Sequence, residues 1–248
     1  MTSLHEPLAL RRGPALRNRL ALAPLTNTQS HADGTLSDDE IGWLTARARG
    51  GFGLVVTAAA YVQRSGLAWA GQLGVASDDH LPGLTRLADG LRAAGAVSAV
   101  QLHHGGIRAD AAASGEPAVA PFDDARSGAR ALTTGEVEQL VADFAAAAAR
   151  CERAGFDGVQ VHGAHGYVLG QFLDVVRNDR TDRYGGDAAG RARVLHEVVE
   201  AIRAVTGPDF QVGLRLSVER FGLDRAEAVT VAGDLLASGR LDHLDLSL

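Results

Sequence analysis

The segment His162-Gly163-Ala164-His165-Gly166-Tyr167 places two imidazoles and a phenol close together in the chain. It continues from an apolar run, Gly158–His162, that reads as a strand. Side chains alternate along a strand, so Gln160 and His162 share one face and Val159 and Val161 the other. His165 and Tyr167 then come from the loop just above His162. The intervening glycines permit a tight turn and a close approach by a ligand. Two neutral imidazoles can donate to one oxygen and stabilise charge that develops on a carbonyl. A phenol can hand a proton to carbon. Two plainer readings stand beside this one. The histidines could be satisfied within a packed core, or form a two-His metal site with His103 or His104 as a further ligand.

Other residues carry weaker signals. Arg215 stands inside an apolar run, Val212–Leu216. A guanidinium there keeps its charge and needs an acceptor, either the edge of a bound ligand or a carboxylate such as Glu219. Gln101 ends another apolar run and offers one donor and one acceptor, which suits a heterocycle that presents both, although backbone could satisfy it instead. Pro24-Leu25-Thr26 closes the first strand, because proline cannot continue a central strand, and Thr26 then offers a hydroxyl beyond the bend. The polar stretch from Asn178 to Gly186 reads either as a solvated surface or as an ion-paired network that anchors the loop after the fourth strand.

The elements that must hold these residues alternate. Strands are expected at Leu20–Ala23, Leu54–Thr57, Val97–Leu102, Gly158–His162, Gln211–Leu216 and His243–Leu248. Helices are expected near Ser37–Arg49, His80–Ala94, Thr134–Ala154, Arg191–Val205 and Arg225–Ser238. Capping boxes are expected at Ser37 with Glu40 and at Thr133 with Glu136, and helix-ending glycines at Gly95, Gly155 and Gly207. Strands apolar on both faces and separated by helices predict a parallel α/β sheet. No G-x-G-x-x-G follows the first strand, as a doubly wound dinucleotide-binding sheet would show. Polar residues cluster instead at the ends of several strands: Thr26, Thr57, Gln101 to His104, His162 to His165, and Arg215. That distribution predicts a TIM-type (β/α)8 barrel with its site at the C-terminal mouth.

Composition narrows the class. The chain has 248 residues, 46% of them hydrophobic, a formal net charge of −6, and a single cysteine, Cys151. The charge argues against nucleic-acid and anionic-membrane partners. One cysteine excludes an internal disulfide framework and a Cys-cluster metal site within the chain. The start at Met1-Thr2-Ser3 shows no secretory pattern, and no apolar run reaches membrane-spanning length, so a cytoplasmic location is expected.

Taken together, Ala23-Pro24-Leu25-Thr26, Gln101-Leu102-His103-His104-Gly105-Gly106, Gly158 through Tyr167, Gln171-Phe172-Leu173, Asn178 through Gly186, and Arg215-Leu216-Ser217 resemble the Old Yellow Enzyme family of flavin-dependent ene-reductases. The order and spacing agree from about Leu8 to Leu248. The resemblance implies a barrel that holds FMN at its mouth. Pro24, Leu25 and Thr26 would line the flavin, Ala59 would offer backbone, and Gln101 and Arg215 would bind its pyrimidine end. Thr26 would lie near the reactive edge, and Arg215 would offset negative charge on reduced flavin. His162 and His165 would hold the carbonyl oxygen of an α,β-unsaturated substrate, and Tyr167 would be the proton donor. NADH or NADPH would reduce the flavin and leave. Hydride would then pass to the β-carbon of the enone and a proton to its α-carbon.

The match also carries departures. Gln160 stands where a Glu is common, and Asp174-Val175 where Ser-Pro is frequent. Family members continue for about two further βα units, the ones that usually make a phosphate site, and no motif here replaces them. The expectation is therefore one incomplete FMN-binding barrel domain over residues 1–248, ending after the sixth strand, with exposed edges that make it unstable or poorly soluble alone. The rival readings are an inactive truncated fragment and a metal-dependent barrel lyase or hydrolase that uses the histidines. A homo-oligomer is left open.

Overall fold

A computed structural model describes residues 3–247; Met1, Thr2 and Leu248, the ends of the expected leaderless start and of the last strand, lie outside them. In chain order the elements are β1 (Ala21–Leu22), α1 (Asp38–Arg49), β2 (Leu54–Tyr61), α2 (Leu81–Ala93), β3 (Val97–His103), α3 (Ala111–Ser114), β4 (Val119–Ala120) and β5 (Arg130–Ala131). They continue as α4 (Thr134–Arg153), β6 (Gly158–Gly163), α5 (Val168–Phe172), α6 (Ala188–Val205), β7 (Gln211–Ser217), α7 (Arg225–Ala237) and β8 (His243–Ser247). Six strands form one parallel sheet in the order β1-β2-β3-β6-β7-β8, with a small β4–β5 pair beside it. Strand order thus follows chain order, as in a barrel and unlike a doubly wound sheet. No helix of the described residues is long and apolar enough to cross a membrane.

The two faces of the curled sheet differ. Val100, Leu102, Val159, Val161, Val212 and Leu214 join one continuous core with the apolar stripes of the covering helices, including Leu84, Leu140, Phe144 and Val198. The opposite parity carries Gln101, Gln160, His162 and Arg215 toward the inside. A second apolar cluster, of Leu16, Leu54, Val56, Val97 and Ala99, closes the inside at the N-terminal ends of the strands. The N-terminal loop is held there by Gln211, whose Nε2 donates to the Arg12 and Pro14 carbonyls at 2.7 and 3.3 Å. Among the described residues β1 and β8 each pair on one side only, and a cavity of about 340 Å³ lies between them.

Several local expectations need correction. β2 runs four residues past Thr57, which sits mid-strand beside a register shift between Val56 and Ala59 and not at a strand end. The first helix of the Arg191 region starts earlier, at Ala188, because Asp187 caps it by accepting from Gly190 N. The Thr133–Glu136 box is reciprocal, but the Ser37–Glu40 box is only half formed. Ser37 accepts from Glu40 N, while the buried Glu40 carboxylate turns to Ser30 and to Asn27 Nδ2 at 2.9 Å and fixes the loop after β1. Gly95 and Gly155 adopt the left-handed conformation at φ 75° and 92°, but Gly207 does not; α6 ends on an extended Thr206.

The Asn178–Gly186 stretch forms an ion-paired network: Asn178, Tyr184 and Gly185 are buried, while Asp179, Thr181, Arg183 and Gly186 face solvent. Arg180 pairs with Asp182 and donates to the carbonyls of Pro121 and Leu132, and so ties the β4–β5 excursion to the loop after α5. Asn178 Nδ2 donates to the Phe172 and Tyr184 carbonyls at 2.6 and 3.0 Å. The Arg180 guanidinium holds Asp182 down at about 2. Arg180→Ala leaves the buried Pro121 and Leu132 carbonyls without their donor, while Asp182 keeps Thr134 Oγ1 and the Tyr184 amide, so stability should fall by about 1–3 kcal/mol in denaturant titration. A loss under about 1 kcal/mol would mean the pair behaves as a surface salt bridge.

Candidate active site

Parallel pairing builds the site. β6 pairs with β7 so that His162 lies opposite Arg215, and β7 pairs with β8 so that Arg215 lies opposite Asp245. One step toward the strand starts, Ala59, Gln101 and Gln160 are in register across β2, β3 and β6. Residues in register on parallel strands point to the same side, so these side chains form rows inside the curl. A cavity of about 300 Å³ at the C-terminal ends of the strands is lined by Pro24, Leu25, Thr26, Ala59, Gln101, His162, His165, Tyr167 and Arg215, together with Trp69. All the residues singled out in the sequence for catalysis or ring binding therefore meet on one cavity.

The loop after β6 is fixed in an uncommon conformation. His165 has φ 59°, in the left-handed region, followed by Gly166 at φ 67°. His165 N donates to Ser217 Oγ at 3.0 Å, which holds the turn against β7. His162 Nδ1 accepts from Ala164 N at 3.2 Å, so the ring proton sits on Nε2. His162 Nε2 lies 3.3 Å from His165 Nδ1, and His165 Nε2 lies 2.6 Å from Ser247 Oγ. The Tyr167 ring packs at 5.0 Å from His162 and 4.3 Å from His103, centroid to centroid. Arg108 stacks on the other side of the loop, its guanidinium 5.4 Å from the Tyr167 ring centre.

The partner of Arg215 is not Glu219, which is exposed, but Asp245 on β8, with Nε to Oδ2 at 3.3 Å. The contact is close but poorly aligned, because Arg215 Nε is buried without a formed hydrogen bond. Gln101 Nε2 donates to Gln160 Oε1 at 2.8 Å, so the amide is aimed by a side chain and not by backbone. His104 leaves the group: it faces Ser65 and Gly66, and its Nδ1 accepts from Gly106 N. His103 stays beside the cavity, with Nδ1 accepting from Gln72 Nε2 at 3.0 Å. Among the described residues no three His, Cys, Asp or Glu side chains gather as metal ligands. Sequence reasoning overlooks Trp69, Gln72, Asp245 and Ser247. Only Asp245 carries a usable signal, a carboxylate on the same strand parity that the arginine needs.

Burial keeps the histidines neutral. It pulls His103 down to about 3 and His104 to about 4, and holds His162 well below its ordinary value, with His103, His165 and Arg215 adding to the effect. Burial, then Arg215, lowers His165 as well. In the unfolded chain each imidazole titrates near ~6.5. Below that pH the unfolded chain binds more protons than the fold, so stability is complete above about pH 7 and falls as pH drops toward 4. Each fully neutral buried histidine contributes up to about 1.4 kcal/mol per pH unit in that window. Melting temperatures between pH 7.5 and 5 should show this slope, and His104→Asn should flatten it. An unchanged slope in that variant would contradict the assignment.

The sequence model of the NADH:flavin oxidoreductase / NADH oxidase family, whose members bind FMN, matches residues 3–240. The chain is 40% identical over 256 residues to the "Probable NADH-dependent flavin oxidoreductase YqiG" of Bacillus subtilis, covering 99% of this chain and 68% of that protein. It is 35% identical over 240 residues to an NADPH dehydrogenase of Clostridium acetobutylicum, covering 94% of this chain and 70% of that protein. Among solved structures, the old yellow enzyme homologue from Zymomonas mobilis superposes with a TM-score of 0.91 at 28% identity, over 99% of this chain and 73% of that one. A complex of 2-naphthoyl-CoA reductase with 2-naphthoyl-CoA gives 0.93 at 30% identity, over 98% of this chain but 40% of that one. The curled sheet is thus the barrel type of these enzymes. FMN and NADH or NADPH are the cofactors that accompany this family, and its chemistry is oxidoreduction. The chain belongs to the NADH:flavin oxidoreductase / NADH oxidase family.

Proposed function

We propose that the chain reduces the C=C bond of α,β-unsaturated carbonyl compounds, with His162 and His165 binding the carbonyl oxygen and Tyr167 giving the proton to the α-carbon. The observation that carries this reading is the convergence of those three rings on the cavity that also exposes Pro24, Leu25, Thr26, Ala59, Gln101 and Arg215. The residues present fit a flavin ring. The cavity lies at the low end of the size range for small-molecule sites. Arg215 has a buried Nε with no formed hydrogen bond, and Gln101 is aimed by Gln160. Pro24, Leu25 and Thr26 would flank the ring, the Ala59 backbone would meet its edge, and Gln101 and Arg215 would face its pyrimidine end. A bound flavin, reduced by NADH or NADPH, supplies the hydride.

The protein's own part is polarisation, placement and proton delivery. His162 carries its proton on Nε2 and is held neutral, so it donates a hydrogen bond without bringing a full charge. His165 is linked to His162 and Ser247. The one donor of His162, Nε2–H, faces His165 Nδ1, so for both rings to donate to one oxygen the His162–His165 contact and the His165–Ser247 contact must both be exchanged for the substrate. Tyr167 stands between His162 and the Arg108 guanidinium, on the substrate side of the loop. Thr26 adds a hydroxyl at the cavity wall.

Two variants test the reading in separated half-reactions. His162→Ala should retain flavin absorbance and slow enone reduction by about 10²–10³-fold, the loss expected for one oxyanion donor. Unchanged turnover would remove His162 from the mechanism. Tyr167→Phe should slow enone reduction by about 10²-fold or more while oxidation of NADH or NADPH by the flavin continues. Equal loss of both half-reactions would show that Tyr167 is not the proton donor.

A further inference from the structure

A second cavity, of about 450 Å³, opens beside the catalytic loop and is lined by Arg108, Arg126, Arg177, Asp124, Gly166 and Phe221, among others. It shares the His165-Gly166-Tyr167 turn with the first cavity but contains none of the residues assigned above. Three guanidinium groups surround one hollow, and two carboxylates, Asp174 and Asp124, offset part of their charge and leave the group net positive. Arg177 has a carboxylate partner, with Nε 2.7 Å from Asp174 Oδ2, and its guanidinium lies 4.9 Å over the Phe122 ring. Asp174 also accepts from the Val176 and Arg177 amides, which fix its carboxylate beside Arg177. Asp124 lies near Arg177 and Arg126, but its Oδ2 is held by Ser127 N and Oγ at 2.9 and 2.7 Å. Arg108 forms no ion pair among the described residues. It donates to the His165 carbonyl at 2.9 Å and lies over the Tyr167 and Phe221 rings. Arg126 is exposed and also has no ion pair among them.

Two features distinguish this group from scattered surface charge. First, two of the three guanidinium groups are stacked on aromatic rings, which fixes their planes before any ligand arrives and lowers the entropy lost on binding. A planar guanidinium matches phosphate and carboxylate oxygens two at a time. Second, Arg108 is joined directly to the turn that carries His165 and Tyr167. An anion held here would fix one end of a molecule whose other end lies against Tyr167. Binding remote from the reacting atoms is a general means of orienting them.

We propose that Arg108, Arg126 and Arg177 form an anion subsite at the mouth of the active site. It takes a phosphate, diphosphate or carboxylate group carried by the molecule that reacts over Tyr167. That last clause rests on the function proposed above; the subsite itself does not. The anion has two sources, the reducing dinucleotide or the compound being reduced, and binding measurements distinguish them.

Calorimetric titration of the intact chain with inorganic pyrophosphate tests the subsite without turnover. Binding should weaken with added salt, and Arg126→Ala should reduce affinity by about tenfold, as loss of one charge-assisted contact predicts. Arg126→Glu should reduce it further, with flavin absorbance and melting temperature unchanged in both variants. A non-reacting tetrahydro-NAD that loses affinity in Arg126→Ala assigns the subsite to the dinucleotide. A carboxylate-bearing cyclohexenone that loses affinity while unsubstituted cyclohexenone does not assigns it to the substrate. Equal pyrophosphate affinity in the wild type and both variants, or no binding at about 10 mM in the wild type, would overturn the proposal. Pyrophosphate binding that depends on Arg126 in a protein unable to reduce any enone would leave the subsite standing and refute the earlier reading.

Discussion

In-register parallel pairing of β6, β7 and β8 is the constraint on which the rest of the site depends. Register decides that His162, Arg215 and Asp245 lie side by side, and parity decides that all three face inward. A slip of one residue would turn the whole polar row into the helix-covered core, where Val161, Leu214 and Leu244 now pack. The apolar parity therefore does more than stabilise the sheet. By demanding burial against the helices, it forces the polar parity into the curl and so creates a polar interior.

That interior manages its charge by keeping most of it neutral. Desolvation disfavours the charged imidazole, and Arg215 beside His162 and His165 acts in the same direction. The permanent cation in the row meets a single carboxylate, Asp245, in a contact too poorly aligned to satisfy it fully. Neutral donors and an under-satisfied guanidinium suit a polar, electron-rich ligand. They do not suit a cation.

Rigid loops bring the remaining groups to the rows. Arg180 reaches from the stretch after α5 to the carbonyls of Pro121 and Leu132, and so positions the β4–β5 excursion that carries Asp124, Arg126 and Ser127. Glu40 fixes the loop after β1 through Asn27 and Ser30, a few residues beyond Pro24–Thr26. Arg108 couples the mouth to the His165–Tyr167 turn through the His165 carbonyl. The mouth is thus built from segments distant in sequence and locked together by arginines that donate to backbone carbonyls.

The sequence by itself determined the alternation of strands and helices, the parallel sheet, and the parity that sends Gln101, Gln160, His162 and Arg215 to one side. These follow from a two-residue repeat, apolar runs and capping residues, all of which are local. It also marked the His162–Tyr167 turn, since glycines and polar rings at the end of a strand are a local pattern too. Only the tertiary structure decided which partners meet. Glu219 is nearer to Arg215 in the chain, yet Asp245 takes the contact because strand pairing places it alongside. His104 follows His103 directly but faces Ser65, since adjacent residues at a strand end diverge. The meeting of Arg108, Arg126 and Arg177 has no sequence signature at all, because it depends on how three separate loops pack and no repeat or spacing encodes that distance.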